Sequence, residues 1–163
     1  MYYTVISSPV GLLFLGGDLE AISMIGFGSN SKALGVVVGE IHDEPFKKVA
    51  MQLGEYFEGT RNAFDFKFVI HGTTFQLDVL DALRTIPYGE TRTYREIAIQ
   101  IGRPRSFRAV GAACARNPLP LVIPCHRVIG QDGGLTGFNG GLGVKRYLLA
   151  LESRYSGLSG DVC

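Results

Sequence analysis

The hydrophobic period of this chain changes near residue 70, and that change restricts the fold more than any other feature. Before it, apolar residues alternate or run in short blocks. Residues 2–6 and 12–15 flank the turn-forming stretch Ser7-Ser8-Pro9-Val10-Gly11 and read as an antiparallel strand pair. Residues 22–27 make a further apolar run suited to a strand, and Phe64-Asp65-Phe66-Lys67-Phe68-Val69-Ile70 alternates as a half-buried strand does. Between them Phe46, Val49, Ala50, Leu53 and Phe57 recur at helical spacing, with Gly59 as the stop. Residues 1–70 therefore predict an α+β domain.

Beyond residue 70 the spacing turns helical, which defines a second domain over residues 71–163. Thr74 is placed to cap a helix that shows Phe75, Val79, Ala82 and Ile86 on one face and ends at Pro87-Tyr88-Gly89. Thr93 caps a second, with Tyr94, Ala98 and Ile101 on one side and Gly102 at its end. Arg103-Pro104-Arg105-Ser106 then turns into a third helix over residues 107–116, with Phe107, Val110 and Cys114 facing inward. Two short helices across a glycine turn have the format of a helix-turn-helix, a format that many non-binding pairs share. A closing helix puts Val144, Tyr147, Leu148 and Leu151 on one face and Glu152 near its end.

The chain has 163 residues, 46% of them hydrophobic and 19% charged, which is the composition of a soluble globular protein with its own core. No apolar run approaches the roughly 20 residues that span a bilayer, and Met1-Tyr2-Tyr3-Thr4 does not begin a secretory signal. A cytoplasmic location without a membrane partner is expected. Three cysteines, Cys114, Cys125 and Cys163, with no CxxC pair point to neither a disulfide framework nor a thiolate-rich zinc site. The formal net charge of +1 conceals an asymmetry. Residues 1–69 carry five Lys+Arg against eight Asp+Glu, net −3, and residues 70–163 carry eleven against seven, net +4. The excess is mostly Arg, the residue suited to phosphate and base-step contacts.

Around Arg108 the third helix is built of Ala109, Gly111, Ala112, Ala113 and Ala115. Few long polar side chains are offered to a major groove, whereas small ones let a backbone approach a narrower groove closely and an Arg enter the base stack. Tight helix–helix packing uses the same residues. His42-Asp43-Glu44 reads as solvated surface rather than a metal site. The glycines of residues 130–143 lack the Gly-Lys-Ser/Thr of a phosphate loop and suit the wall of a small pocket.

The most informative segment runs from Asn117-Pro118 to Ile123-Pro124-Cys125-His126-Arg127-Val128-Ile129. Leu121-Val122-Ile123 predicts a buried strand with Cys125 where it emerges. His126 and Arg127 are positive neighbours that favour a thiolate, and a thiol pKa lowered from about 8.5 to about 7 would make a nucleophile. Adjacent residues on an extended chain face opposite ways, so a local turn must bring the His126 ring back toward sulfur. Asn117 has the side-chain amide to brace such a turn.

Residues 123–129 resemble the active-site signature of the O6-alkylguanine-DNA alkyltransferases, the methylated-DNA–protein-cysteine methyltransferases. Gly72-Thr73-Thr74-Phe75-Gln76, Ile86-Pro87-Tyr88-Gly89-Glu90-Thr91, Arg108-Ala109-Val110-Gly111, and Gly140-Gly141-Leu142 with Lys145 are similar to further motifs of that family. The resemblance is strong over residues 72–152 and weak over the first 70. It implies an N-terminal ribonuclease H-like antiparallel sheet with a helix, and a mostly helical C-terminal catalytic and DNA-binding domain. By the same resemblance Cys125 accepts the alkyl group in a single turnover, His126 acts as base through a water, Glu152 orients His126, and Asn117 holds the turn. Tyr94 contacts the flipped base and its phosphate, Arg108 replaces the extruded guanine, and Val128, Phe138 and Asn139 line the pocket.

The implied partner is alkylated double-stranded DNA, entered from the minor groove by a monomer, with cooperative assembly left open. O4-methylthymine is an implied second substrate, and neither S-adenosylmethionine nor a catalytic metal is implied. The chain departs from the family pattern at Leu80, where Trp is frequent, at Arg116, where Gly is common, and at Phe138, often Tyr. The last keeps an aromatic wall without its hydroxyl. A DNA-binding regulator with an inert Cys125 and a Cys/His hydrolase are the competing readings.

Overall fold

The computed structural model describes residues 1–28 and 39–160, with side chains given outside residues 157–160. Cys163 lies outside the described residues. The chain divides into two compact units, Met1–Ile70 and His71–Cys163, and its class is α+β.

In the first unit, β1 (Tyr2–Ser8) and β2 (Gly11–Gly17) pair antiparallel from Tyr2 opposite Gly17 to Ser8 opposite Gly11, so Pro9 and Val10 form a two-residue hairpin loop. Gly11 has φ 101°, a value that a side chain resists. β3 (Ile22–Phe27) extends the sheet on the far side of β2. The two-residue β4 (Glu40–Ile41) lies on the other side of β1 and runs parallel to it, so the expected antiparallel sheet carries one parallel edge. Leu13 and Leu15 on β2 and Ile25 and Phe27 on β3 alternate into the core with Val49, Leu53 and Tyr56 of α1 (Lys47–Phe57). A period of two from the sheet and of 3.6 from the helix thus supply one apolar layer.

Residues 64–70 correct the sequence reading. Burial alternates along them, but their pairing is one isolated bridge, Phe68 to Ile22, with hydrogen bonds from Ile22 N to Lys67 O at 3.1 Å and from Val69 N to Ile22 O at 2.9 Å. Alternation reports which face is buried; a ladder also needs a partner strand along its length. Near the charged trio, Asp43 accepts from Thr4 at 2.5 Å and the His42 ring packs edge-on against Tyr2.

The second unit opens with α2 (Thr74–Leu83), capped by Thr73 rather than Thr74. The Thr73 hydroxyl accepts from Gln76 N at 3.2 Å while the Gln76 side chain accepts from Thr73 N at 3.0 Å, a reciprocal cap that only that register allows. The helix ends at Leu83, before Pro87-Tyr88-Gly89. After β5 (Arg92–Thr93), Thr93 and Glu96 make the same cap for α3 (Tyr94–Gln100). Gly102, at φ 76°, turns the chain, and α4 (Phe107–Ala115) packs on α3 through Ile97, Ala98 and Val110, all fully buried. This is the helix-turn-helix format. β6 (Val128–Ile129) pairs parallel with β5, and α5 (Leu142–Gly160) closes the unit. Glu152 therefore sits within α5 rather than near its end. Leu148 and Leu151 are buried on that helix, whereas Tyr147 is exposed because Lys145 takes the inward position. No helix among the described residues is long and apolar enough to cross a membrane.

Candidate active site

The segment between α4 and Cys125 is a braced turn, not the strand its apolar residues predict. Asn117 sets it: its Nδ2 donates to Ile123 O at 2.8 Å and its Oδ1 accepts from Leu119 N at 3.0 Å. Ile123 N closes the loop onto Leu119 O at 2.9 Å. The turn forces Leu121 to φ 75°, a left-handed backbone that costs a non-glycine residue about 1–2 kcal/mol. Its side chain is buried, so core packing offsets the strain. The predicted strand gives way to a turn because the amide of Asn117 ties Leu119 N and Ile123 O together across it, a local pairing that competes with a ladder.

Pro124, at φ −80° and ψ 65°, then makes an inverse γ-turn in which Cys125 N donates to Ile123 O at 2.8 Å. A 3-10 turn over Cys125–Arg127 follows directly. The turn buries all three side chains.

His126 and Arg127 converge on one carboxylate. His126 Nε2 lies 2.8 Å from Glu152 Oε1, and Arg127 donates from Nε and Nη2 to the same carboxylate at 2.7–3.1 Å. Arg127 Nη1 reaches Ile86 O at 2.7 Å, and its guanidinium lies over the Tyr88 ring. Burial pushes the Glu152 carboxyl up, but the hydrogen bonds from His126 and Arg127 outweigh it and hold the group down at about 2. Burial also lowers the pKa of His126 against the pull of Glu152, so the ring is neutral. A neutral ring that donates from Nε2 leaves Nδ1 with a lone pair, and Nδ1 is buried with no hydrogen-bond partner among the described residues.

Cys125 is 4% exposed, and burial raises its thiol to about 11 against the opposing effects of an Asn117 hydrogen bond and the Lys145 charge. The activated thiolate near neutrality expected from His126 and Arg127 is therefore corrected. The charge of Arg127 is neutralised by Glu152, and His126 carries none, so neither acts on the sulfur as a free cation. A thiol in this state needs a base at the moment of reaction.

A cleft of about 470 Å³ in the same unit is lined by Tyr94, Arg108, Gly111, Thr136, Phe138 and Asn139 among others, and Cys125 is not one of its lining residues. Four residues singled out from the sequence, Tyr94, Arg108, Phe138 and Asn139, thus share one cavity. Arg108 is exposed on the first turn of α4. Val128 does not line this cleft; its side chain is fully buried, and its carbonyl accepts from Lys145 Nζ at 2.6 Å. Lys145 is fully buried and also bonds Thr136 O at 3.3 Å. Sequence reasoning missed the structural use of Arg127, Lys145 and Thr136. A signal for one was present: Lys145, Leu148 and Glu152 are spaced three and four apart on the inward face of α5, where a charge must have a partner. Among the described residues no group of three or more His, Cys, Asp or Glu side chains is arranged to hold a metal ion.

A buried thiol followed by a His–carboxylate pair, set beside a helix-turn-helix and a cleft, defines a thiol-centred group-transfer protein of the α+β class. Residues 1–70 match the family model for the 6-O-methylguanine DNA methyltransferase ribonuclease-like domain, and residues 74–154 match the model for the DNA binding domain of the same proteins. A methylated-DNA–protein-cysteine methyltransferase of Methanosarcina barkeri is 48% identical over 153 residues, covering 93% of this chain and 97% of the relative. The structure of Mycobacterium tuberculosis OGT in complex with DNA is 42% identical, with a TM-score of 0.90 over 95% of this chain and 94% of that one. A structure of the Mycobacterium tuberculosis O6-methylguanine methyltransferase is 41% identical, with a TM-score of 0.84 over 94% and 93%. The chain belongs to the 6-O-methylguanine DNA methyltransferase family.

Proposed function

We propose that this chain repairs DNA by direct reversal, moving a methyl or other alkyl group from the O6 atom of guanine in duplex DNA to Cys125. The observation that carries the site assignment is the 2.8 Å bond between His126 Nε2 and Glu152, which fixes the neutral ring so that Nδ1 is the basic nitrogen. His126 takes the Cys125 proton through a bridging water as sulfur attacks the alkyl carbon in line. The S–C bond forms as the C–O6 bond breaks, and the electron pair passes into the purine. Tyr94 donates to purine N3 as that charge develops, and the released guanine takes its N1 proton from solvent, the thiol proton having left through His126. Asn117 holds the turn that presents the sulfur.

The product is a thioether, which no residue of the site can hydrolyse, so each molecule acts once. The target atom is inaccessible inside a base pair, so the nucleotide must leave the stack. Arg108, exposed on a helix of small side chains, fills the gap from the minor groove, while Phe138 and Asn139 hold the base in the cleft. The chain works as a monomer in this reading, and O4-methylthymine is a second substrate of similar shape.

Incubation with duplex O6-methylguanine DNA followed by peptide mass analysis is expected to place one methyl group on Cys125. Cys125→Ala is expected to keep DNA binding and lose transfer entirely. Methyl found only on Cys114 or Cys163 would sink the mechanism.

A further inference from the structure

Thr136 has no part in the reaction as written, yet it joins three pieces of the cleft. Its hydroxyl donates to the Tyr94 phenolic oxygen at 2.8 Å, its carbonyl accepts from Lys145 Nζ at 3.3 Å, and it forms part of the wall beside Phe138. Lys145 Nζ also holds Val128 O at 2.6 Å, so a chain of hydrogen bonds runs from the Tyr94 phenol to the strand that follows the Cys125 turn.

A phenolic O–H lies in the plane of its ring and has two positions there. A donor seated on one side leaves the other side for the phenol's own proton. We infer that Thr136 is a positioning residue for the transfer, its hydroxyl aiming the Tyr94 proton into the cleft where purine N3 accepts it. The inference rests on the proposed roles of Cys125 and Tyr94. Burial raises the pKa of the phenol, and the Thr136 hydrogen bond works against that rise, which improves Tyr94 as a donor. The other titratable or charged groups around the phenol are Lys145 from α5, Cys114 from α4, Cys125 from the 3-10 turn and Arg108 on the cleft wall. Of these groups Lys145 is itself tied to the Thr136 carbonyl, so the loop residue and the cation act as one brace.

Thr136→Val keeps the branched shape and deletes the donor. In single-turnover assays on duplex O6-methylguanine DNA it is expected to slow methyl transfer about fivefold to tenfold, the worth of one hydrogen bond. Thr136→Ser is expected to restore the rate to within about twofold, since the donor returns. On the same duplex carrying O6-methyl-3-deazaguanine, which has carbon in place of N3, Thr136→Val is expected to add no slowing, and likewise in a Tyr94→Phe background. Equal slowing on both duplexes would assign Thr136 a merely structural role and overturn the inference, as would an unchanged rate on O6-methylguanine. Failure of the unsubstituted chain to methylate Cys125 would instead overturn the reading beneath it.

Discussion

Each of the two units buries one side-chain amide among the described residues, Gln52 at 1% exposure and Asn117 at 4%, and the two do different things with the same chemistry. Gln52 donates to the carboxylate of Asp65 and accepts from Asp65 N at 3.1 Å. Asp65 is a surface residue with its side chain 68% exposed. Asn117 bonds the backbone of Leu119 and Ile123, both of which are fully buried. An amide whose partners reach water fastens a loop that water can partly re-solvate. An amide whose partners are buried dictates a backbone path, because the alternative is an unpaired Leu119 N–H and an Ile123 carbonyl with one bond fewer in the core. The second unit adds His126, Arg127, Lys145 and Glu152 to its buried polar set, whereas the first adds Thr4. Polar burial is concentrated where geometry has to be specified.

The largest expected break in this contrast is at Glu152. Glu152→Gln leaves the buried guanidinium of Arg127 without its anion and is expected to cost about 3–5 kcal/mol in chemical denaturation at neutral pH. Transfer should fall with it as His126 loses its orientation. Acid gives a second readout with a definite sign. The Glu152 carboxyl titrates at about 2 in the folded chain against an ordinary 4.5, so it supplies about 3 kcal/mol that is fully present above pH 4.5 and is lost as pH falls toward 2. His126 acts in the same direction, because the unfolded chain takes a proton below pH 6.5 that the buried ring resists. The unsubstituted second unit should therefore weaken progressively below pH 6.5, and Glu152→Gln should remove the part below 4.5. An unchanged acid profile in that variant would mean that the carboxylate pairing does not stabilise the fold.

The same contrast explains what the sequence made legible. In the first unit β1, β2, β3 and α1 follow from alternation and helical spacing because apolar burial is the dominant force there, and periodicity records it. Residues 64–70 misled for the reason that alternation carries no information about a partner strand. In the second unit Thr93 and Gly102 were readable because caps and left-handed turns have local residue requirements. Leu121-Val122-Ile123 was not, since its conformation is imposed by an amide four to six residues upstream that overrides β propensity. The Cys125 thiol departs from its sequence expectation for a related reason. Its sequence neighbours are cations, but the group that neutralises Arg127 lies 25 residues away on α5. Local sequence shows which charges adjoin a thiol, and only the fold shows which of them are already paired.

Asn117→Ala sharpens the comparison at the next level. With Leu119 N left unpaired in the core, Ile123 O reduced to its bond from Cys125 N, and Leu121 held in a strained backbone, the turn should relax at a cost of about 2–3 kcal/mol. Methyl transfer should drop at least about tenfold, since a displaced sulfur misses the in-line geometry. Hydrogen exchange should locate the loosening at Leu119 and Ile123 rather than throughout the unit. Uniform loss of protection with an unchanged transfer rate would show that Asn117 is an ordinary stabilising amide, like its counterpart.

Gln52→Ala is that counterpart and the smallest expected effect. Both groups it releases, the Asp65 carboxylate and the Asp65 N–H, lie at a half-exposed loop where water can replace the amide, so the loss is limited to the net value of the bonds and some packing, about 1 kcal/mol. The Asp65 carboxyl is held below its ordinary range first by Gln52 and then by Lys48, so its pKa should rise part of the way back toward 3.8 in the variant, with the Lys48 ion pair retained. Methyl transfer should be unchanged. A loss as large as that of Asn117→Ala would break the contrast, because it would mean that the exposure of a partner does not decide what a buried amide is worth. The carboxylate titration separates the causes, since a re-solvated Asp65 that keeps its Lys48 ion pair returns only part of the way toward 3.8, whereas a loop that also loses that pair returns the whole way.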